Sequence, residues 1–522
     1  MMKKDTKACP IAHEPYFLGV LPRINAESCL LKKGDFGVRI DVKKKSFVTM
    51  IKGESSVHHE RLSDEGGRWF SVRKPKRKFN TIQEFVKHHK KNAFLFDGEE
   101  VTVSNVNTRP FWMLPKSELQ LEKTVLGTGE FSTVQAGSYK RLLKLAVKIC
   151  KDTGEDDEVE EQNAEMVMEA IVMKDFKHMH VINFYGISCD ESPIMIAMEF
   201  CPGGSLSSHL KKQLDAITVG ERVRYCYETA VGMEFLHTKQ LIHRDLAARN
   251  VLISQYGLLK ISDFGMSKVV NVLAGERVRN HKKPLRWTAP EAISDDAPCY
   301  SWASDVWAWG VMLYEIFGNG AQPFAAMDNN KVTDMIGSCK MMPMPEKTPE
   351  DIQEMNKKGI FVKDTKERLT FAKIVVLLKS LETKHPPPAL GQATVFQLPG
   401  VESIDPKDLE QILKGINRLF KDKAAAQASL ALGKTPSKGT ALSNSAEDPK
   451  QPRKKGTSSA ESCKTQVLMS KGMKNRKIKS PDSKKPRSKT SKPKKKSLSS
   501  TASDEDAKGK QKKKESQIND KG

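Results

Sequence analysis

The chain has 522 residues, room for two or three domains, and a formal net charge of +23. The segment 421–522 holds 28 Lys and Arg against 10 Asp and Glu, a net +18, so the first 420 residues carry only about +5. A basic nucleic-acid-binding fold is therefore not indicated, and the basicity belongs to a tail. Nine cysteines without a CxxC pair favour a reduced intracellular protein over a disulfide framework.

The ends and the apolar runs of the chain predict neither a secretory signal nor a membrane span. "MMKKDTKACP" at the start has no apolar run behind its charges, and "VWAWGVMLYEIF" is too short to cross a bilayer and contains Glu315. We read the second stretch as a buried helix. The expected location is cytoplasmic, with peripheral association at the inner membrane surface and a nuclear fraction left open.

After an extension at 1–13, residues 14–105 predict a small α+β module. "DFGVRIDV" and "SFVTMI" read as strands, and "TIQEFVKHHKK" reads as a helix opened by a capping box of Thr81 and Glu84. Arg39 lies on the first of these strands beside apolar neighbours, so its side chain is expected to point inward. A buried guanidinium requires an anion.

A linker at 106–118 leads to a segment, 119–383, that is strand-rich at first and helix-rich after about Ser205. This order predicts two lobes of one catalytic domain. Residues 384–420 form a linker with one short amphipathic helix in "DPKDLEQILKGINRLF". The tail at 421–522 contains no Phe, Trp or Tyr, so we expect it to be disordered.

The catalytic segment carries spaced polar motifs. "LGTGEFSTV" is a glycine-rich turn whose backbone N–H groups suit phosphate, although alone it is weak evidence. Lys148 in "LAVKI" lies on an apolar strand and needs a partner, for which Glu169 in a helical stretch is the candidate. Such a pair would hold Lys148 toward the phosphates of a nucleotide.

Two further motifs supply oxygen ligands and a base. In "HRDLAARN", Asp245 is placed to accept or orient a substrate hydroxyl proton, and Asn250 to bind a metal ion. In "KISDFGMS", Asp263 follows a strand and suits Mg²⁺ coordination. Together with "APE", these motifs occur in one order over about 165 residues.

This set resembles the protein kinase family across 119–383. The resemblance implies a bilobal fold with ATP and Mg²⁺, or alternatively Mn²⁺, between the lobes. The catalytic residues it implies are Lys148, Glu169, Asp245 and Arg249, and the metal ligands are Asn250 and Asp263. The nucleotide-binding residues it implies are Leu126, Gly127, Thr128, Gly129, Glu130, Phe131, Ser132, Val134, Ala146, Lys148, Met198, Glu199 and Cys201.

Tyrosine is the expected acceptor. Ser/Thr kinases usually carry Lys two positions after the catalytic Asp, whereas this chain has Ala247 there and Arg249 two further on, the tyrosine-kinase pattern. Pro284 and Trp287 in "KKPLRWTAPE" resemble the tyrosine-kinase substrate platform. Two structural roles also follow from the resemblance: Asp305 as anchor of the catalytic loop, and Arg368 as ion-pair partner of Glu291.

The N-terminal module resembles a Src-homology-2 domain, which binds phosphotyrosine. On that resemblance Arg39 is the bidentate phosphate ligand, with Arg23, His59 and Arg61 around the phosphotyrosine ring. Asp41 departs from the pattern because a carboxylate replaces a hydroxyl donor there; Lys43, Lys44 and Lys45 offer compensating charge.

The order of the two modules, with "FWML" in the linker, is similar to the Fes/Fer type of non-receptor kinase. The membrane-bending and coiled-coil region of that type is not found in this sequence, so its functions are not expected here.

An active kinase is favoured over a pseudokinase adaptor because no catalytic position is lost. The implied partners are protein tyrosine substrates and phosphotyrosine proteins. The tail predicts contact with anionic membrane surfaces, with nuclear import as the competing reading and no sequence-specific nucleic acid, since it lacks aromatic residues. Between Asp263 and Glu291 there is no Tyr, so we expect Glu276 to substitute for an activating phosphate near Arg244, and docking of the N-terminal module near Glu169 to set the activity.

Overall fold

The structure is a computed structural model. It describes residues 9–415 except 75, 97, 130–131, 152–155, 270–283, 294–297, 390, 406, 410 and 413. The predictions for Glu130, Phe131, Glu276 and the basic tail therefore lie outside the described residues.

The N-terminal module is built on a five-stranded sheet in the order β1-β2-β3-β4-β5. Its elements are β1 (Phe17–Gly19), α1 (Arg23–Glu27), β2 (Phe36–Asp41), β3 (Ser46–Lys52), β4 (Val57–Glu65), β5 (Arg68–Ser71), α2 (Ile82–His89), β6 (Phe94–Phe96) and β7 (Glu99–Val101). The two predicted strands are β2 and β3, and the predicted helix is α2. Thr81 caps α2 by accepting the Glu84 N–H at 3.1 Å, but the Glu84 carboxylate accepts the N–H of Asn80, so only half of the expected capping box forms.

Alternation along β2 separates the core of this module from its polar face. Phe36 and Val38 are buried with Phe85 of α2 in one apolar cluster. Arg39 lies between Val38 and Ile40 in sequence and therefore points to the opposite face of the sheet. The strand pattern thus directs a guanidinium into the space beside α1.

The first lobe of the catalytic domain is a second five-stranded sheet, in the order β11-β12-β10-β9-β8. Its elements are β8 (Leu119–Thr128), β9 (Ser132–Tyr139), β10 (Leu143–Cys150), α3 (Asp156–Met173), β11 (Phe184–Ser188) and β12 (Met195–Glu199). Because β10 lies at the centre of the sheet, a side chain on this strand is held by neighbours on both sides.

The second lobe is mainly helical, as predicted, and begins with Ser205 as the N-cap of its first helix. Its elements are α4 (Leu206–Gln213), α5 (Val219–Thr238), β13 (Leu241–Ile242), β14 (Val251–Ile253), β15 (Leu259–Ile261), β16 (Lys268–Val269), α6 (Trp302–Phe317), α7 (Asn329–Gly337), α8 (Glu350–Met355) and α9 (Phe371–Lys384). The apolar run is the buried helix α6, with Trp307 and Trp309 fully inaccessible. In the described part of the chain, no helix has the length and apolar character to cross a membrane.

The N-terminal module packs against the first lobe. The Val20 N–H donates to the Cys189 carbonyl at 2.7 Å, and Arg109 Nη2 lies 2.5 Å from Asp190 Oδ1, with both side chains nearly buried. Lys43 Nζ lies 3.2 Å from Glu160 Oε2 on α3. The module therefore contacts the same helix that carries Glu169.

The segment after α9 folds back onto the second lobe. Buried Glu221 on α5 accepts the Thr394 N–H at 3.1 Å, and Val401 joins the apolar core. In the predicted amphipathic helix, residues 407–409 are helical and Leu409 is buried. The part of this helix beyond residue 415 lies outside the described residues.

Candidate active site

Lys148 projects from β10 into the space between the lobes and meets two carboxylates. Its Nζ donates to Glu169 Oε1 and Oε2 at 2.9 and 2.8 Å, and Asp263 Oδ1 is 3.4 Å away. Burial by itself would lower the pKa of Lys148, but the two carboxylates outweigh it and the pKa is raised. The lysine is therefore held as a cation, and the predicted Lys148/Glu169 pair is formed.

The glycine-rich turn closes between β8 and β9, where the Gly129 N–H donates to the Ser132 carbonyl at 2.8 Å. The predicted nucleotide-binding residues Leu126, Gly127 and Thr128 lie on β8, Val134 on β9, and Ala146 on β10 directly opposite Met198 of β12. These strands form one side of the cleft.

Glu199, predicted to contact the nucleotide, turns its side chain elsewhere. Its Oε2 accepts from Asn183 Nδ2 at 2.7 Å and lies 3.1 Å from Lys260 Nζ, which is almost completely buried. Cys201 follows it in the connection between the lobes. Any contact of Glu199 with an adenine ring is therefore left to its main chain.

Asp305 anchors the start of the catalytic loop, the segment 243–250. Its carboxylate accepts the N–H groups of His243 and Arg244 at 2.8 and 3.0 Å, as predicted for an anchor. Asp245 then projects into the cleft, where Oδ2 accepts from Asn250 Nδ2 at 2.8 Å and Oδ1 pairs with Arg249. Burial raises the pKa of Asp245, and the charge of Arg249 opposes this rise.

Asp263 follows β15 with a left-handed φ of +64°. The next residue, Phe264, is buried against Phe176 and His243, with ring centroids 5.9 and 5.4 Å apart, so the Asp263 carboxylate stays on the cleft side. Its side chain is half exposed, and although burial alone would raise its pKa, the charges of Lys148 and His243 and the hydrogen bonds from Lys148 and Gly265 together lower the pKa of Asp263. An exposed, ionised carboxylate and the amide oxygen of Asn250 are hard oxygen donors and fit a divalent cation.

Glu315 is a residue of the site that the motifs did not reveal. Its Oε2 accepts the Ala248 N–H at 3.0 Å and Trp287 Nε1–H at 2.9 Å. The Trp287 ring lies 4.6 Å from the guanidinium of Arg249, which in turn pairs with Asp245. A carboxylate inside the apolar run "VWAWGVMLYEIF" was the available signal, because such a charge is retained only where it has partners.

One predicted contact and one that was not predicted lie in the second lobe. Arg368 Nη1 and Nη2 donate to Glu291 Oε1 and Oε2 at 2.7 and 3.1 Å, so this ion pair forms as predicted. The guanidinium of Arg244 lies 4.1 Å over the ring of Tyr300, and its Nε has no hydrogen-bond partner in the described part of the chain. Tyr300 is thus a neighbour of Arg244 that the sequence did not predict.

A second polar cluster lies in the N-terminal module. Arg39, Val48 and Arg61 are opposite one another on β2, β3 and β4, and His59 lies two residues before Arg61, so all four side chains share one face of the sheet. The Arg39 side chain is only 11% exposed, and its closest partners are the Ile40 carbonyl at 3.4 Å and Asp41 at 3.9 Å. Burial lowers the pKa of this guanidinium.

Glu27 of α1 is the present partner of two predicted phosphotyrosine ligands. Its Oε1 accepts from Arg23 Nε at 2.7 Å and lies 2.8 Å from His59 Nε2. Sequence reasoning missed it, although Arg23 and Glu27 stand at the i, i+4 spacing of an ion pair on a helix. Asp41 also has a structural partner, because its Oδ1 accepts the N–H of Lys44 at 3.1 Å.

Comparison with known proteins adds to this geometry. A family model described as protein tyrosine and serine/threonine kinase matches residues 119–378. Tyrosine-protein kinase Fer of Rattus norvegicus is 31% identical over 348 residues, covering 66% of this chain and 41% of Fer. Tyrosine-protein kinase FRK of Homo sapiens is 32% identical over 383 residues, covering 69% of this chain and 73% of FRK.

The viral tyrosine-protein kinase transforming protein Fps of avian sarcoma virus (strain PRCII) is 28% identical over 388 residues, covering 72% of this chain and 69% of Fps. The chain spans less than half the length of the Fer relative that it matches. Protein kinases use ATP and a divalent metal ion, which agrees with the cleft residues described above. The chain belongs to the protein tyrosine kinase family, as a relative of the Fes/Fer type.

Proposed function

We propose that this chain is a non-receptor protein tyrosine kinase that transfers the γ-phosphate of ATP to tyrosine hydroxyls of protein substrates. The observation that carries the proposal is the assembled cleft: the Lys148/Glu169 pair, Asp263 within 3.4 Å of Lys148, and Asp245 paired with Arg249. A pseudokinase would not need to retain this arrangement of charges, so the enzyme reading is preferred.

The residues of the cleft divide the work. Lys148, held as a cation, binds the phosphates of the nucleotide, while Asn250 and Asp263 hold the divalent metal ion, which we assign as Mg²⁺ with Mn²⁺ as the alternative. When bound there, the metal ion would supply positive charge to neutralise the charge that develops on the phosphates. Asp245 accepts or orients the proton of the tyrosine hydroxyl, and its bonds to Arg249 and Asn250 fix the direction of its two oxygens.

The acceptor is assigned from the surroundings of Asp245. Arg249 pairs with Asp245 while its guanidinium lies over the ring of Trp287. The other side of the Asp245 carboxylate, where a Ser/Thr kinase carries a Lys, is therefore open to the larger phenol ring of a tyrosine. Pro284 begins the turn that carries Trp287.

The test is a kinase assay on a tyrosine-containing copolymer, with a tyrosine-free copolymer as control. Asp245→Asn keeps the size of the side chain and removes the carboxylate, and we expect phosphate incorporation to fall by a factor on the order of 10² to 10⁴. Thermal unfolding of the variant checks that it is folded. Equal incorporation by the folded variant and the wild type would sink the enzyme assignment.

We also propose that residues 14–105 are a Src-homology-2 domain that binds phosphotyrosine through Arg39. A guanidinium that is 11% exposed with only weak partners supports this, because a buried cation without a good anion partner is costly. Arg39→Leu should weaken binding of a phosphotyrosine peptide by roughly 2 to 4 kcal/mol, measured by fluorescence anisotropy. Undiminished binding by Arg39→Leu would show that the phosphate is held elsewhere.

The remaining proposals concern the tail and the location. Basic runs such as "SKPKKKS" in 421–522 support binding to anionic lipid, each Lys or Arg adding about 1 kcal/mol near the surface, and hence a peripheral site at the inner face of a membrane. Co-sedimentation with vesicles containing phosphatidylserine should be strong at low salt and weak at raised salt. Salt-independent sedimentation, or none, contradicts the proposal.

A further inference from the structure

The chain continues after α9 as a segment packed on the second lobe, residues 386–402, which we call the C-terminal strap. Its first residue, Pro386, lies so close to Gly220 at the start of α5 that no room is left for a Cβ on that glycine. Further along the strap, Val395 and Val401 are buried in the apolar core of the lobe. The strap is therefore part of the packed catalytic domain, although it lies beyond the last kinase motif.

A buried carboxylate anchors the strap near its middle. Glu221 of α5 is fully inaccessible, and it accepts the N–H and the Oγ1–H of Thr394 at 3.1 and 2.9 Å. The Tyr225 hydroxyl donates to the same carboxylate at 2.7 Å, and His209 Nε2 lies 3.0 Å from Thr394 Oγ1. Because a buried carboxylate is costly without such donors, this network holds the strap in one position.

The far end of the strap reaches the connection between the lobes. Gly400 has a left-handed φ of +76°, and a Cβ at this position would lie only 3.1 Å from the Cβ of Pro202. Pro202 directly follows Cys201 in the connection. Two residues after Gly400, the N–H of Glu402 donates to the Gln255 carbonyl at 2.7 Å. The strap thus joins the connection to the turn between β14 and β15.

The same connection is also attached directly to β14. The Gly203 N–H donates to the Ile253 carbonyl at 3.2 Å, and the Ile253 N–H donates to the Gly204 carbonyl at 2.8 Å. The strap supports the turn that follows β14, because the ring of Phe396 packs on Gly257, where a Cβ would lie 2.7 Å from that ring. Two sets of contacts therefore fix the backbone where the chain enters the second lobe.

The path of this backbone matters for the nucleotide. The Glu199 side chain is already engaged by Asn183 and Lys260, so contacts of the connection with an adenine ring fall to its main chain. A main-chain donor or acceptor cannot change rotamer to follow a ligand, and its position depends on the backbone on either side. Contacts that hold this backbone in the bound position raise affinity by preorganisation.

We propose that the C-terminal strap is a positioning element for nucleotide binding, in which Gly400 holds Pro202 and thereby the main chain of residues 199–201 in place for the adenine ring. The inference rests on the proposed use of ATP by this chain. It adds a determinant of nucleotide affinity that lies outside the cleft.

The experiment compares two glycines of the strap in the full chain. Gly400→Ala and Gly391→Ala impose similar backbone strain, since φ is +76° and +84°, but a Cβ at residue 391 would lie 3.6 Å from the Ser403 side chain, which is an ordinary contact. Binding of a fluorescent N-methylanthraniloyl derivative of ATP is titrated with Mg²⁺ present, and kcat and KM for ATP are measured on a tyrosine copolymer. We expect Gly400→Ala to raise Kd and KM about fivefold with kcat within about twofold, and Gly391→Ala to match the wild type.

Thr394→Val loosens the anchor without touching Pro202. Valine keeps the shape of threonine but removes the Oγ1–H bond to Glu221. We expect Kd for the ATP derivative to rise about threefold, again with little change in kcat. Thermal unfolding checks that each variant is folded at the assay temperature.

The outcomes separate this inference from the proposed function. If the wild type binds no ATP derivative, the proposed function fails and this inference fails with it. If the wild type binds but Gly400→Ala binds equally well, or Gly391→Ala weakens binding as much, only the present inference is overturned. If Gly400→Ala does not fold, Thr394→Val decides: a raised Kd supports the inference and an unchanged Kd overturns it. A lower kcat with unchanged Kd would assign the strap to stability alone and equally overturn it.

Discussion

Replacing Glu315 tests whether this residue positions the catalytic base Asp245 indirectly, through Trp287 and Arg249. In Glu315→Leu the backbone N–H of Ala248 and the indole N–H of Trp287 lose their hydrogen-bond acceptor. Each unsatisfied buried donor lowers the free energy of unfolding by about 1 to 3 kcal/mol. We expect the free energy of unfolding to fall by about 2 to 4 kcal/mol. Because Trp287 supports Arg249, and Arg249 orients Asp245, kcat should fall roughly 10- to 100-fold with little change in KM for ATP.

Glu315→Gln separates the hydrogen bonds from the charge. The amide oxygen still accepts both N–H groups, and burial already raises the pKa of Glu315, so losing the charge is tolerated. We expect kcat within about threefold of the wild type. The assay is steady-state phosphorylation of a tyrosine copolymer at a temperature where circular dichroism shows both variants folded. A wild-type kcat in folded Glu315→Leu, or equal losses in the two variants, would refute the reasoning.

Three other predictions each concern one charged residue. Arg249→Gln removes the cation that lowers the pKa of Asp245, so the acid limb of the pH profile of kcat/KM should move to higher pH; an unmoved limb would show that Asp245 is not the titrating group. Asp41→Ser removes a carboxylate 3.9 Å from Arg39 and should strengthen phosphopeptide binding about fivefold; weaker binding would mean that the bond from Lys44 to Asp41 matters more. Glu276→Gln should slow kcat several-fold while phosphatase treatment leaves the wild type active, and the opposite pair of results would place the switch elsewhere.

The arrangement of the two modules depends on contacts that join distant parts of the chain. Arg109 and Asp190 are 81 residues apart in sequence, and each is an ordinary charged residue in its local context. Lys43 was expected to compensate for Asp41, but the structure engages it with Glu160 of α3. Its charge therefore contacts the helix that carries Glu169.

The sequence by itself determined the chemistry and most of the elements. The motifs around Lys148, Asp245 and Asp263 can be recognised in the sequence, because each chemical role requires a particular type of residue at a fixed spacing from its neighbours. The strands around Arg39 and the helix α6 could also be predicted from the sequence. Burial of one face of a strand leaves an alternating apolar pattern, and burial of a helix on all faces leaves a continuous apolar run. These signals are local, so folding is not needed to see them.

Tertiary structure alone decided which side chains meet. Glu315 accepts a hydrogen bond from Trp287, 28 residues away in sequence. The side chain of Glu199 contacts Asn183 and Lys260. Glu27 contacts His59, 32 residues away in sequence. None of these partners has a local pattern, because a carboxylate in sequence does not show which of many distant donors it will face. Burial decides which partner is used, because a charge removed from water is stable only beside a partner that the packing of sheets and helices brings close to it.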